Sequence, residues 1–330
     1  MININFNMGR ISTYRTELMG IAAILIIICH APANGVVVYT FLDRLLRWGG
    51  IGVDLFLFLS GVGMYFSLQK RQSLKHWYYH RYLRILVPFI VFSLPYYLFR
   101  ALHDGDSFFT FLCNITTISF WLRHEGAWFV AMLIPLYLIT PHLSKLIDNC
   151  QCRFISGLFL CIIFFALYLL IPSSDTIVNN IQICLSHVPS YIGGYLIGKD
   201  VYEHNNISNW MLWISIFCGV LYIILIPVHV QKNWLLMPIS ILLLSTLLDK
   251  IRTNKKVMTV LCFMGGISLE SYLSNIYLPV VLRKIGIQKI IYSIDDSNYI
   301  YYLLVIIIGI IIAYLGSVVS KKILTLLKGI

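Results

Sequence analysis

Apolar runs of roughly 18 residues or more recur along this chain, and no other feature constrains its fold as strongly. About 20 residues at 1.5 Å each cross the hydrocarbon core of a bilayer as a helix. Ten such runs are legible, near residues 17–33, 51–68, 83–101, 127–147, 154–171, 183–198, 209–227, 233–249, 258–282 and 300–320. A shorter apolar stretch at 108–122 reads as re-entrant or interfacial. Transmembrane strands would alternate polar and apolar residues, and these runs do not. Composition agrees: 59% of residues are hydrophobic and 12% charged, with mean hydropathy +0.81, against about 25% charged in a soluble domain. The expected fold is all-α, a polytopic membrane protein of about ten transmembrane helices. In this reading residues 1–330 form a single membrane-embedded domain with no soluble domain appended.

Ten crossings return both termini to one side, and charge selects the side. With cytoplasmic termini, the inner segments hold 17 of the 25 Lys and Arg residues, including Arg10, Arg15, Arg71, Arg81, Arg84, Lys321 and Lys328. The outer segments hold eight, among them Arg44, Arg100 and Arg123. That bias follows the positive-inside rule. It accounts for much of the net charge of +11, so no nucleic-acid partner is implied. The eight cysteines contain no C-x-x-C pair, and Cys150 and Cys152 fall in an inner loop. Thiols stay reduced there, so neither zinc nor disulfides are expected. Arg10, Arg15, the run 18–29 and Ala31-Pro32-Ala33 imitate a signal peptide with its cleavage site, and retention is the expectation. No Walker loop and no obvious internal repeat is present.

Charged groups at bilayer depth cost at least ~2.5 kcal/mol each, which makes them functional candidates. His30 ends the first run in "TELMGIAAILIIICH". It lies ~20 Å beyond Glu17, in the outer half of the membrane. Position alone equally suits a rim histidine held by water or a carbonyl. Asp54, in "GGIGVDLFLFLSGVGMY", comes to a similar depth from the second run. It can orient an imidazole or serve as a carboxylate at a helix N-terminus. Glu270, in "GGISLESYLSNIY", reaches the same layer from the ninth run. Ser60 reads as a helix–helix hydrogen bonder, since no nucleophile-elbow context surrounds it. Arg81 and Arg84, in "HRYLRILVP", share a helix face at the inner surface. They can snorkel under the positive-inside rule or grip phosphate with their forked guanidiniums.

The ordered blocks "ELMGIAAILIIICH", "GIGVDLFLFLSG", "YYHRYLRILVP", "GAWFVAMLIPLYLITP", "SHVPSYIGGYLIGK" and "GGISLESYLSN" resemble the acyltransferase-3 family. These are membrane-bound O-acyltransferases of bacteria that modify cell-surface glycans. The resemblance implies acyl-coenzyme A, foremost acetyl-coenzyme A, as donor, and a hydroxyl of a surface or exported glycan as acceptor. It implies a multi-pass protein of the bacterial cytoplasmic membrane, in contact with lipid, with no metal and no nucleic acid; the oligomeric state, a homodimer included, stays open. His30 matches the family's essential histidine. Arg81 and Arg84 match its basic segment, Asp54 its Gly-Val-Asp block, Trp128 its Trp block with Glu125 just before, and Tyr272 its Ser-x-Glu-x-Tyr-Leu block. Three positions depart. Met19 stands where the family has an arginine. His187 stands where another block often opens with arginine, and Asn275 where the last block often ends in histidine.

Layout and resemblance combine into one expected mechanism. Coenzyme A phosphates sit at Arg15, Arg81 and Arg84. The thioester is threaded outward to His30, the general base. Asp54, Glu270 or Glu125 orients the base. Trp128, Tyr272, Asn275 and His187 line the substrate site. An acyl-histidine intermediate is the chemical alternative. A polytopic transporter of a glycan precursor, or a non-catalytic membrane partner of a glycan-assembly machine, shares the polytopic build and stands as the rival from another class.

Overall fold

The computed structural model describes residues 6–37, 39–70, 72–228 and 230–328. Arg71 and the Lys328 side chain, counted above among the inner cations, lie outside the described residues. Among those described, no strand occurs and a lone bridge pairs Asn7 with Asn206. A helix satisfies its own backbone where no water is available, which is why apolar runs of this length become helices. The first half of the chain forms α1 (Gly9–Thr13), α2 (Arg15–Cys29), α3 (Thr40–Arg47), α4 (Ile51–Leu68), α5 (Leu74–Asp104), α6 (Phe108–Ile115), α7 (Ile118–Arg123) and α8 (Trp128–Asp148). The second half forms α9 (Arg153–Leu170), α10 (Thr176–Tyr202), α11 (Asn209–Ile224), α12 (Met237–Ile251), α13 (Lys255–Gly266), α14 (Ser268–Lys284), α15 (Ile287–Tyr292) and α16 (Tyr299–Lys328).

Seven helical segments among the described residues are long and apolar enough to cross a membrane: 15–34, 40–68, 74–104, 128–148, 153–170, 233–251 and 299–327. The all-helical, multi-pass expectation therefore stands, and the count of ten is not reached on length and composition. Three of the ten runs account for the difference. The run at 209–227 yields α11, which is only 16 residues long. The run at 258–282 breaks at Ile267, whose backbone (φ −120°, ψ 19°) leaves the helical region between α13 and α14. Counted together, that broken pair brings the number to eight. The run at 183–198 becomes part of α10, a helix of 27 residues. It is long enough, but Asn180, Gln182, Ser186, His187 and Ser190 make it too polar to count. Most of these side chains are buried in protein, so α10 has no need of a lipid-facing surface. The short stretch at 108–122 folds as α6 and α7.

The helices group into two compact units. Unit 1 comprises residues 1–22, 51–73 and 138–266; unit 2 comprises 23–50, 74–137 and 267–330. In unit 1, α4 and α9 both pack along α10. Two glycines set the first contact. A Cβ on Gly61 would strike the Tyr191 carbonyl oxygen, and a Cβ on Gly194 would strike that of Phe58. Small residues at such crossings bring backbones close enough for dispersion to hold helices that gain nothing hydrophobic in lipid. Arg153 locks the end of this group. Its Nε donates to Asp148 Oδ1 (2.7 Å), and Nη1 and Nη2 donate to the carbonyls of Leu196 (2.7 Å) and Tyr195 (3.0 Å). In unit 2, α5, α14 and α16 pack mutually. The Tyr301 hydroxyl donates to Pro279 O (2.9 Å), and Ser274 Oγ to Gly309 O (3.0 Å).

Gly61→Val forces the α4 and α10 backbones apart, at a cost of about 1–3 kcal/mol. A thermal scan in detergent should show a fall in Tm of several degrees. An unchanged midpoint would mean that the two helices do not meet there.

Candidate active site

The end of α2 is built to hold one imidazole in place. Pro32 has no N–H to continue the helix. The chain turns through a short 3-10 segment, Pro32–Asn34, and Gly35 leaves it at φ +83°, a conformation that favours glycine. His30 stays on the last turn, its N–H shared between Ile26 O (3.2 Å) and Ile27 O (3.1 Å). Asn34 Nδ2 donates to His30 O (2.9 Å). The ring itself meets α14: His30 Nδ1 lies 2.8 Å from the side-chain amide of Asn275. Asn275 is buried. Tyr302 of α16 completes the cluster, its hydroxyl donating to Ile27 O and touching the Asn275 amide. Three elements of unit 2 thus converge on one half-buried histidine.

The other candidates in unit 2 lie on α5, on α14 and at or just before the start of α8. Tyr277, two residues beyond Asn275, stacks on Tyr96 of α5 with ring centroids 4.4 Å apart, and meets Tyr97 edge-on at 5.7 Å. Tyr272, one turn before Asn275, is buried and accepts the Phe129 N–H (3.1 Å) at the start of α8. That bond joins Tyr272 to the segment carrying Trp128. Glu270, in the first turn of α14, is buried. Glu125 lies in an ionic cluster. Arg100 Nη1 reaches its Oε2 at 3.3 Å, and Arg123 approaches at 3.9 Å. Arg100 also pairs with Asp104 (3.5 Å) and Asp106 (3.2 Å). Arg81 and Arg84 lie on the first half of α5, Arg81 half-buried and Arg84 exposed. Thirteen residues separate Arg84 from Tyr97 on α5, a rise of ~20 Å.

Unit 1 holds the remaining candidates. Asp54 is fully buried and pairs with α10: Oδ1 lies 3.0 Å from His187 Nδ1 and accepts Ser190 Oγ at 2.5 Å. Arg15 donates from Nε (3.4 Å) and Nη2 (3.3 Å) to Leu59 O on α4, with its guanidinium against Gly63. Depth along the chain grouped His30, Asp54 and Glu270. In the fold His30 meets Asn275 and Asp54 meets His187 and Ser190.

Sequence reasoning did not single out Ser190, Tyr302 or Arg100. Ser190 was within reach, since it stands three residues after His187 on the same helix face. Arg100 was also within reach, through Asp104 one helical turn on; Tyr302 carries no local signal, because its partners come from elements distant in the chain.

Asp54→Leu leaves His187 and Ser190 without their buried acceptor. The expected cost is about 3–5 kcal/mol, read as a large loss of thermal stability in detergent. Ser190→Ala should cost only about 1 kcal/mol. Equal melting of Asp54→Leu and the parent protein would show that the cluster is not formed.

A family model described as an acyltransferase domain matches residues 18–320 of the 330. No curated protein and no solved structure matches the chain.

Proposed function

The chain belongs to the acyltransferase-3 family and is thus a membrane acyltransferase, and on that premise we propose that it acylates a glycan hydroxyl from acyl-coenzyme A with His30 as general base. Acetyl is the acyl group that the family resemblance favours, and the bacterial cytoplasmic membrane is the location. The observation that carries this reading is the 2.8 Å contact between His30 Nδ1 and the Asn275 amide. A general base needs one ring nitrogen free and the other held. Asn275 holds Nδ1, which leaves Nε2 for the reacting hydroxyl. The amide atom facing Nδ1 is Asn275 Nδ2; with the amide turned by 180° Oδ1 takes its place, Nδ1–H donates to it and Nε2 carries the lone pair. A neutral amide in this role has precedent in Cys-His-Asn sites.

The steps balance. The acceptor O–H gives its proton to His30 Nε2 as its oxygen attacks the thioester carbonyl carbon. The tetrahedral intermediate collapses, the C–S bond breaks, and the imidazolium returns the proton to the coenzyme A thiolate. The products are the ester and free coenzyme A. Arg81 and Arg84 supply the donor phosphates with bidentate partners. The ~20 Å rise along α5 from Arg84 to the Tyr97–Tyr277 contact is of the order of an extended pantetheine arm. Trp128 and Tyr272 form the aromatic wall beside the acceptor, and Asn275 takes the orienting role. Asp54 and His187 support the fold of unit 1, with Ser190, and Arg15 steadies α4 through Leu59 O.

His30→Ala should lower transfer by at least about 10²–10⁴-fold, the usual contribution of a general base. The variant should remain inserted and monodisperse in detergent. Asn275→Leu should reduce kcat while leaving the KM for acyl-coenzyme A near the parent value. Arg81→Ala should do the reverse and raise the donor KM. Labelled acyl-coenzyme A and mass analysis of surface glycans provide both readouts. Normal transfer by His30→Ala would end the proposal.

A further inference from the structure

Unit 1 contains an apolar cavity of about 90 Å³ that the acyl-transfer reading leaves unused. Its walls come from α9, α10, α11 and α12, together with Phe58 of α4. Leu158, Ile214 and Ile241 are typical of the lining. Four wall residues carry a polar side-chain hydrogen: Cys161, Ser215, Cys218 and Trp234. Cys161 Sγ donates to Pro189 O (3.6 Å), and Ser215 Oγ donates to Met211 O (2.8 Å). Their protons are spent on the backbone. Trp234 Nε1 is buried without a hydrogen-bond partner among the described residues, and an indole nitrogen can only donate. The Cys218 thiol is only a weak donor, so among the described residues the cavity offers one strong uncommitted donor and no charge.

That chemistry selects its occupant. A sugar would bury several hydroxyls without partners. Coenzyme A phosphates would meet no cation. A water needs two to four polar neighbours. An apolar chain with a single acceptor at one end loses nothing. Lining residues run from Phe154 to Cys161 on α9 and from Pro189 to Ile197 on α10, so the slot extends ~10–12 Å along the helices. Trp234 lies in the short 3-10 segment Asn233–Leu236 that leads into α12. Tryptophan in such a position belongs at the depth where lipid esters lie. We propose that this cavity binds one acyl chain of an ester-linked membrane phospholipid, with Trp234 Nε1 donating to its ester carbonyl.

The test uses the full chain in detergent, with native mass spectrometry after addition of a diacyl phosphatidylethanolamine or its ether-linked counterpart. The parent protein should retain one diacyl lipid per chain. Ser215→Phe, which fills the slot, should abolish retention, and Cys218→Phe offers a second filling variant should the first fail to fold. Trp234→Phe should weaken diacyl retention up to about tenfold, the worth of one hydrogen bond, and leave ether-lipid retention unchanged. Parent-level retention by a folded cavity-filling variant would overturn the site, as would absence of retained lipid in the parent. Equal loss of both lipids in Trp234→Phe would overturn the carbonyl bond.

Discussion

Inside hydrocarbon there is no water to take up an unused hydrogen bond, and this constraint shapes both the helices and their contacts. Backbone groups are satisfied within helices. Polar side chains in the apolar segments must find partners in protein. Asp54 meets both His187 and Ser190, and His30 meets Asn275. Tyr302 caps the Ile27 carbonyl near the end of α2, and Arg15 reaches the Leu59 carbonyl on α4. Each such bond also sets the register of two helices, because a hydroxyl or amide reaches only one turn of its neighbour. The polar residues therefore act as fasteners as well as candidates for chemistry.

Helix α10 shows how this separates hydropathy from position. Its sequence is too polar for a lipid-facing span, yet it packs against both α4 and α9 at the heart of unit 1. Protein surrounds most of it, so its Asn180, His187 and Ser190 can be polar at low cost. Gly61 and Gly194 then allow the close approach that brings Ser190 Oγ within 2.5 Å of Asp54. The more lipid-exposed α9 and α16 carry the apolar surfaces that hydropathy detects.

At the candidate site, chemistry follows from which end of α2 is fastened and by what. The Tyr302 hydroxyl and the Asn275 amide come from α16 and α14, whose mutual packing is secured by Tyr301 and Ser274. Ring orientation at His30 is thus coupled to the core of unit 2. Asn275, one of three departures from the family pattern, is the residue that touches the imidazole. A neutral amide orients an imidazole without the desolvation cost of a second buried charge.

The sequence by itself determined the class of fold, since apolar runs of span length can satisfy their backbones only as helices. It also identified His30, Asp54, Glu270 and the Arg81–Arg84 pair as the residues to ask about, because charge in such runs is costly. Depth could be counted along the chain at 1.5 Å per residue, but depth is one coordinate of three. Which helices are neighbours, and through which faces, depends on packing between residues such as Gly61 and Gly194, far apart in the chain. Only the tertiary structure could therefore assign His187 and Ser190 to Asp54, and Asn275 with Tyr302 to the helix end that carries His30.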